Sequence, residues 1–282
     1  MTERFHAVLK LSMIKSPLRY PGGKARVAER IAELLPAFDE YREPFAGGAS
    51  VFLLLRQKFP EKTFWINDVY PELATFWSML AKDSRQVIEY IISYRQRYHN
   101  GKELYGHIME HIRTLPDAER AAAFFIINRI TFSGTSESGG YSEQAFNGRF
   151  TPSSIERLTP VAALLRNVRI TNLDYTDVLT AQGNNVVMYL DPPYYSARSS
   201  ALYGKNGKLH TGFNHERLAE HLRATQHRWL ITYDESPFIR SLYSFANIRE
   251  WNIVYGMRNV TTNSTQKARE LFISNYELPL IV

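Results

Sequence analysis

Residues 41–68 read YREPFAGGASVFLLLRQKFPEKTFWIND. The first five, YREPF, read as a short strand running into a glycine turn, AGGAS. The apolar run SVFLLLRQKF follows and stops before Pro60, which predicts a helix. KTFWIND at 62–68 then reads as a second strand that ends in Asn67-Asp68. Strand, glycine turn, helix and strand form the repeating unit of a mostly parallel α/β sheet.

The rest of the chain extends that unit with one interruption. Upstream, KARVAERIAELL predicts a helix at about 25–35, closed by Pro36. Downstream, residues 71–130 read as largely helical, opening with Pro71 at a helix start. Residues 133–153 are rich in Gly and Ser, with aromatic residues and Arg149 interspersed. The alternation then resumes. SIERLTPVAALLRN is a helix with a kink expected at Pro160, and VRITNLDY is a strand. NVVMYLDPPYY is an apolar strand running into two prolines. HERLAEHLRAT is a helix capped by Asn214, and HRWLITYDE and ELFISNYEL are further strands. The predicted organisation is an α/β core of residues 1–75 and 153–282, interrupted by an inserted, mainly helical subdomain at 76–152.

Composition sets the limits. The chain has 282 residues, 44% of them hydrophobic, enough for a substantial core. It has no cysteine, which excludes disulfides and thiolate metal sites. No apolar run approaches the roughly 18 residues of a membrane helix, and the N-terminus lacks a secretory pattern. A soluble, cytoplasmic protein is expected. The net charge of +6 favours a polyanionic partner. Most of the excess follows residue 195, where 11 Lys and Arg stand against 7 Asp and Glu. In residues 76–150 the balance is 9 against 8.

Three stretches carry chemistry. Gly22-Gly23-Lys24 suggests a phosphate loop, but Ala25 follows the lysine and Leu18 stands where the first glycine is required. A triphosphatase is therefore disfavoured, and the turn reads as a tight turn that starts a helix. The second stretch is EPFAGG at 43–48, where glycines allow close backbone approach to a ligand. Asp68 follows Gly47 by 21 residues, the spacing at which an acid binds ribose hydroxyls in nucleotide-binding sheets. The full dinucleotide glycine pattern is missing, which points to another nucleoside-bearing cofactor. The third is Asp191-Pro192-Pro193-Tyr194. Two prolines give a rigid platform without N–H groups. Asp191 and the Pro192 carbonyl can accept both protons of an amine, and the Tyr194 ring can stack on a flipped-out base.

Taken in order, PLRYPGGK, EPFAGGASVF, Asn67-Asp68 and DPPY resemble the Dam-like DNA adenine-N6 methyltransferases, in the alpha arrangement of motifs. The resemblance runs from about residue 17 to ELFISNY at 270–276. It implies a Rossmann-like, S-adenosylmethionine-dependent sheet with an inserted DNA-recognition subdomain. It further implies methyl transfer to the N6 amine of adenine in double-stranded DNA, by base flipping and direct attack, with no metal. By resemblance Tyr20, Lys24, Phe45 and Gly47 contact the cofactor, and Asp68 takes its ribose. Asp174-Tyr175 address its adenine, with Asp177 as a nearby competitor, and Asp191 lies between cofactor and substrate. Most members of the family it resembles carry Trp at the position of Tyr20, a change that keeps an aromatic ring there.

DNA contacts are expected from Asn128, Arg129 and Arg149 in the insert. Others are expected from Arg198, Lys205 and Lys208 in the basic loop after the two prolines. A monomer is expected, with any cognate restriction endonuclease acting separately. The residues alone leave N4-cytosine or RNA as alternative substrates. A noncatalytic DNA-binding regulator is disfavoured because Asp68, Asp191 and Tyr194 are all retained.

Overall fold

The structure is a computed structural model and describes residues 13–20, 22–132, 140–196, 212–253 and 268–280. Its centre is a seven-stranded sheet of order β3-β2-β1-β4-β5-β7-β6. The strands are β1 (Glu40–Glu43), β2 (Thr63–Asn67), β3 (Arg169–Thr171), β4 (Val186–Leu190), β5 (Arg228–Asp234), β6 (Asn247–Ile253) and β7 (Ala268–Ser274). The first five are mutually parallel. β7 runs antiparallel between β5 and β6.

Strand order reverses between β1 and β4. At such a switch point the two crossovers leave in opposite directions, and a crevice opens beyond the carboxyl ends of the strands. β1 runs there into Pro44–Gly48, and β4 runs into Asp191–Tyr194.

β4 is buried at every position, as a central parallel strand must be. Its side chains alternate between two cores. Val187 and Tyr189 join α1 (Ala28–Leu34), α2 (Ser50–Lys58) and the long helix α3 (Pro71–Arg97) on one face. Val186, Met188 and Leu190 face α9 (Tyr175–Thr180), α10 (His215–Ala224) and α11 (Pro237–Leu242) on the other.

The helical region opens with α3 and continues through α4 (Gly101–His111), α5 (Asp117–Ile130) and α6 (Glu143–Arg149). α3 crosses the expected boundary at residue 75 without a break. It kinks further on, at Asp83 (φ −149°, ψ 70°), whose carboxylate caps the second half by accepting from the Gln86 N–H at 3.0 Å. Phe76 and Trp77, just past that boundary, belong to the same core as Phe52 and Tyr189. The segment expected as one helix at 154–167 is two, α7 (Pro152–Glu156) and α8 (Leu158–Leu164), broken at Arg157 rather than at Pro160. Asn214 caps α10, accepting from the Arg217 N–H at 2.8 Å. No helix among the described residues is long and apolar enough to cross a membrane.

Candidate active site

A cavity of about 610 Å³ opens at the switch point, within the range of small-molecule sites. Its floor is the turn after β1. Gly47 sits at φ +47°, and a Cβ there would lie 2.8 Å from the Tyr20 ring. Ala49 is also left-handed, at φ 51°, a conformation rarely held without a glycine. The turn is fixed from three sides. The Asp68 carboxylate accepts from the Gly47 N–H at 2.9 Å and from the Tyr70 N–H at 3.0 Å. The Trp77 indole donates to the Gly47 carbonyl at 3.0 Å. Tyr20 lies across Gly47 and Gly48.

The aromatic wall is built by Phe45, Tyr175 and Phe213, with ring centroids 5.4–6.0 Å apart. Asp174 lines the cavity beside Tyr175. It caps α9 through the Thr176 N–H and pairs with Arg217 at 3.3 Å. Asp177, its competitor in the sequence, is not among the lining residues.

At the mouth of β4, Asp191 is held from two directions. The Thr232 hydroxyl donates to it at 2.9 Å, and Tyr189 lies 3.0 Å behind Thr232. The Lys24 ammonium reaches both carboxylate oxygens, at 2.8 and 2.9 Å, and the Gly22 carbonyl at 3.0 Å. Lys24 is buried and lies 5.0 Å from the centre of the Tyr194 ring. Lys24, expected among the cofactor contacts, thus engages the carboxylate of Asp191. Pro192, Pro193 and Tyr194 line the cavity. The chain beyond them is pinned by Asp234, which accepts from the N–H groups of Tyr195 and Ser196, each at 2.9 Å.

Three cavity acids are held in the neutral direction by burial. Glu43, which accepts from the Tyr41 hydroxyl and the Phe52 N–H, is pushed up to about 8. Glu270, on β7, is pushed to about 7, and Asp68 to about 6. An acid whose folded pKa is raised stabilises the fold below its unfolded pKa and loses that contribution as pH rises through the folded value. Stability in the absence of ligand is thus expected to fall between about pH 5 and about pH 8. Glu43→Gln should flatten that fall by at least about 3 °C in thermal midpoint. Identical pH profiles for the two proteins would contradict the buried-acid assignment.

The expected DNA contacts divide. Asn128 and Arg129 are buried at the end of α5 and do not face solvent. The Asn128 amide accepts from the Arg19 N–H at 2.8 Å and donates to the Arg19 carbonyl at 2.7 Å. Arg129 donates to the Pro17 carbonyl, and Arg19 to the Thr131 carbonyl at 3.0 Å. These residues strap the segment that carries Tyr20 and Lys24, which corrects their assignment to a DNA groove. Asn128→Ala leaves the Arg19 N–H and carbonyl without these partners at a partly buried site and should cost roughly 1–3 kcal/mol in urea unfolding. A variant of unchanged stability that lost DNA affinity would contradict the strap.

Arg149 is exposed on α6. It belongs to a cluster the sequence did not reveal. Burial first, then the charges of Arg157, Arg19 and Arg149, lower Arg129 to about 10. Arg198, Lys205 and Lys208 lie outside the described residues. Among the described residues no group of three or more His, Asp or Glu is arranged to hold a metal.

Comparison with known proteins gives the family. A family model for the D12 class N6 adenine-specific DNA methyltransferases matches residues 20–257. Over 93% of the chain and 99% of the relative, the sequence is 26% identical to Type II methyltransferase M.MjaIII of Methanocaldococcus jannaschii. It is 26% identical to the DNA adenine methylase of Vibrio cholerae, covering 87% of this chain and 90% of that protein. It is 27% identical to the DNA N-6-adenine-methyltransferase of Escherichia phage P1, covering 83% of this chain and 32% of that longer protein.

Proposed function

The chain belongs to the D12 class N6 adenine-specific DNA methyltransferases, and we propose that its switch-point cavity holds S-adenosylmethionine beside one adenine extruded from duplex DNA. The observation that carries this reading is the convergence of Gly47, Asp68 and Asp191 on a single cavity. The cavity residues suit the cofactor. The Gly47 cradle has no room for a Cβ, Asp68 retains lone pairs for ribose hydroxyls, and Phe45 and Tyr175 offer faces for an adenine ring. S-adenosylmethionine supplies an activated methyl group.

The protein's part is placement and charge. Thr232 fixes the orientation of Asp191. Asp191 and the Pro192 carbonyl accept hydrogen bonds from the two N–H groups of the exocyclic amine, which draws the nitrogen lone pair out of the ring for direct attack. The methyl group's bond to sulfur breaks as its bond to nitrogen forms, and one amine proton is then lost to solvent. Tyr194 stacks on the extruded base, and burial first, then Asp191, holds its hydroxyl protonated. The gain in rate comes from orientation and a preorganised electrostatic environment. Residues 76–152 read the target sequence. Arg149, Arg198, Lys205 and Lys208 meet the DNA, and the chain acts as a monomer.

Incubation with methyl-tritiated S-adenosylmethionine tests the reading. Label should pass to duplex DNA. Transfer to RNA alone, or no cofactor binding by calorimetry, would overturn it.

A further inference from the structure

Glu270 is a buried cavity acid to which the proposed reaction assigns no role. It is 1% exposed, lines the same cavity as Asp191, and has no hydrogen-bond partner among the described residues for either carboxylate oxygen. Buried carboxylates without partners are costly and rare, so such a group calls for a function. Its register places it opposite Asp234 on β5 and Trp251 on β6. The charged and titratable groups facing it are Lys24, Asp191, Tyr194 and Asp234, with Arg269 beside it on β7. Lys24 is the group that most favours its ionised form, against burial and the charges of Asp191 and Asp234. The Tyr194 hydroxyl also favours that form but does not reach hydrogen-bond geometry.

Asp191 presents the complementary problem. Lys24 engages both of its oxygens, and Thr232 takes a further site on Oδ1. One acceptor site remains, on Oδ2 beside the ammonium, so an amine that donates to this carboxylate competes with Lys24 for it. A buried lysine cannot be left without an anion, because the desolvated charge would be uncompensated. The cavity offers one in the unpartnered acid across it.

We propose that Glu270 is a positioning residue whose carboxylate is the second seat of the Lys24 ammonium, releasing Asp191 when an exocyclic amine binds there. This rests on the amine-accepting role of Asp191 given above. Lysine suits the exchange because its ammonium is a compact charge on a flexible stem. No bond is made or broken. The ammonium moves from one carboxylate to the other and both remain ionised. With Glu270 protonated, Lys24 has only Asp191, and the amine must compete with it there.

The test is Glu270→Gln, which keeps size and removes charge. Single-turnover methyl transfer is measured between about pH 6 and about pH 9, beside calorimetric affinity for S-adenosylhomocysteine. The wild-type rate should rise with pH through about 7. The variant should be slower by roughly 10–100-fold and flat across that range, with cofactor affinity little changed. Glu270→Asp should recover part of the rate and of the pH dependence. A Glu270→Gln enzyme with the wild-type rate and profile overturns the proposal.

A second measurement needs no variant of Glu270 and no turnover. The side-chain carbon-13 signal of Lys24, assigned by its absence in Lys24→Arg, should shift in wild-type protein as pH crosses about 7. A signal indifferent to that range also overturns the proposal, even if Glu270→Gln does not fold. Full turnover by Asp191→Ala would instead refute the amine-binding reading, whatever Glu270 does.

Discussion

Asp191→Ala is expected to lower the methyl-transfer rate by roughly 10²–10³-fold while the protein stays folded. Two losses add. The amine loses its charged acceptor, and Lys24 loses both contacts that hold it at the mouth of β4. The freed ammonium would then turn to Glu270 and leave the place it holds beside the amine site. The fold should tolerate the change because Asp191 lies at a strand end, in a half-exposed position, and its support comes from Thr232 and Tyr189 behind it. Asp191→Asn separates the two losses. It keeps the shape and one acceptor oxygen but removes the charge, so its rate should fall between those of alanine and wild type. Single-turnover assays with saturating cofactor, paired with thermal unfolding, read both quantities. Full turnover by Asp191→Ala would show that the amine is not held by this carboxylate.

Asp68→Ala should act on cofactor binding instead. The Asp68 carboxylate holds the turn after β1 by its contacts to the Gly47 and Tyr70 N–H groups. Hydrogen bonds to a charged group are each worth about 1.5–3 kcal/mol. Losing the Gly47 contact relaxes a left-handed glycine packed under Tyr20, so the cradle loses its shape as well as its acid. Affinity for S-adenosylmethionine should drop by roughly 10–100-fold in calorimetry. The rate at saturating cofactor should change far less, because Asp191, Lys24 and Thr232 are untouched. Unchanged affinity would remove Asp68 from the cofactor site.

Much of this was legible in residues 41–68, where local pattern and tertiary role agree. The glycine turn needs a positive φ, the helix after it is apolar, and the acid sits at the next strand end. DPPY was legible for a similar reason, since a buried strand that stops at two prolines must present its end. Other features depended on contacts distant in sequence. Asn128 and Arg129 look like an exposed polar helix end, but their partners lie more than a hundred residues away, at Pro17 and Arg19. The arginine cluster draws Arg19 from one segment, Arg129 and Arg149 from a second and Arg157 from a third, so a tally by segment finds the insert nearly neutral. Strand β6, NIREWNI, has no clean alternation because it is an edge strand paired on one side only. Glu270 carries no signal in the sequence beyond its place at the start of the strand ELFISNYEL. Only the antiparallel placement of β7 beside β5 brings it into the cavity.

The most direct measurement is of the product. The protein is incubated with S-adenosylmethionine and unmethylated duplex DNA, the DNA is digested to nucleosides, and these are weighed by mass spectrometry. N6-methyladenine is the expected product, and it should vanish with Asp191→Ala. N4-methylcytosine without N6-methyladenine would contradict adenine as the base that this cavity receives.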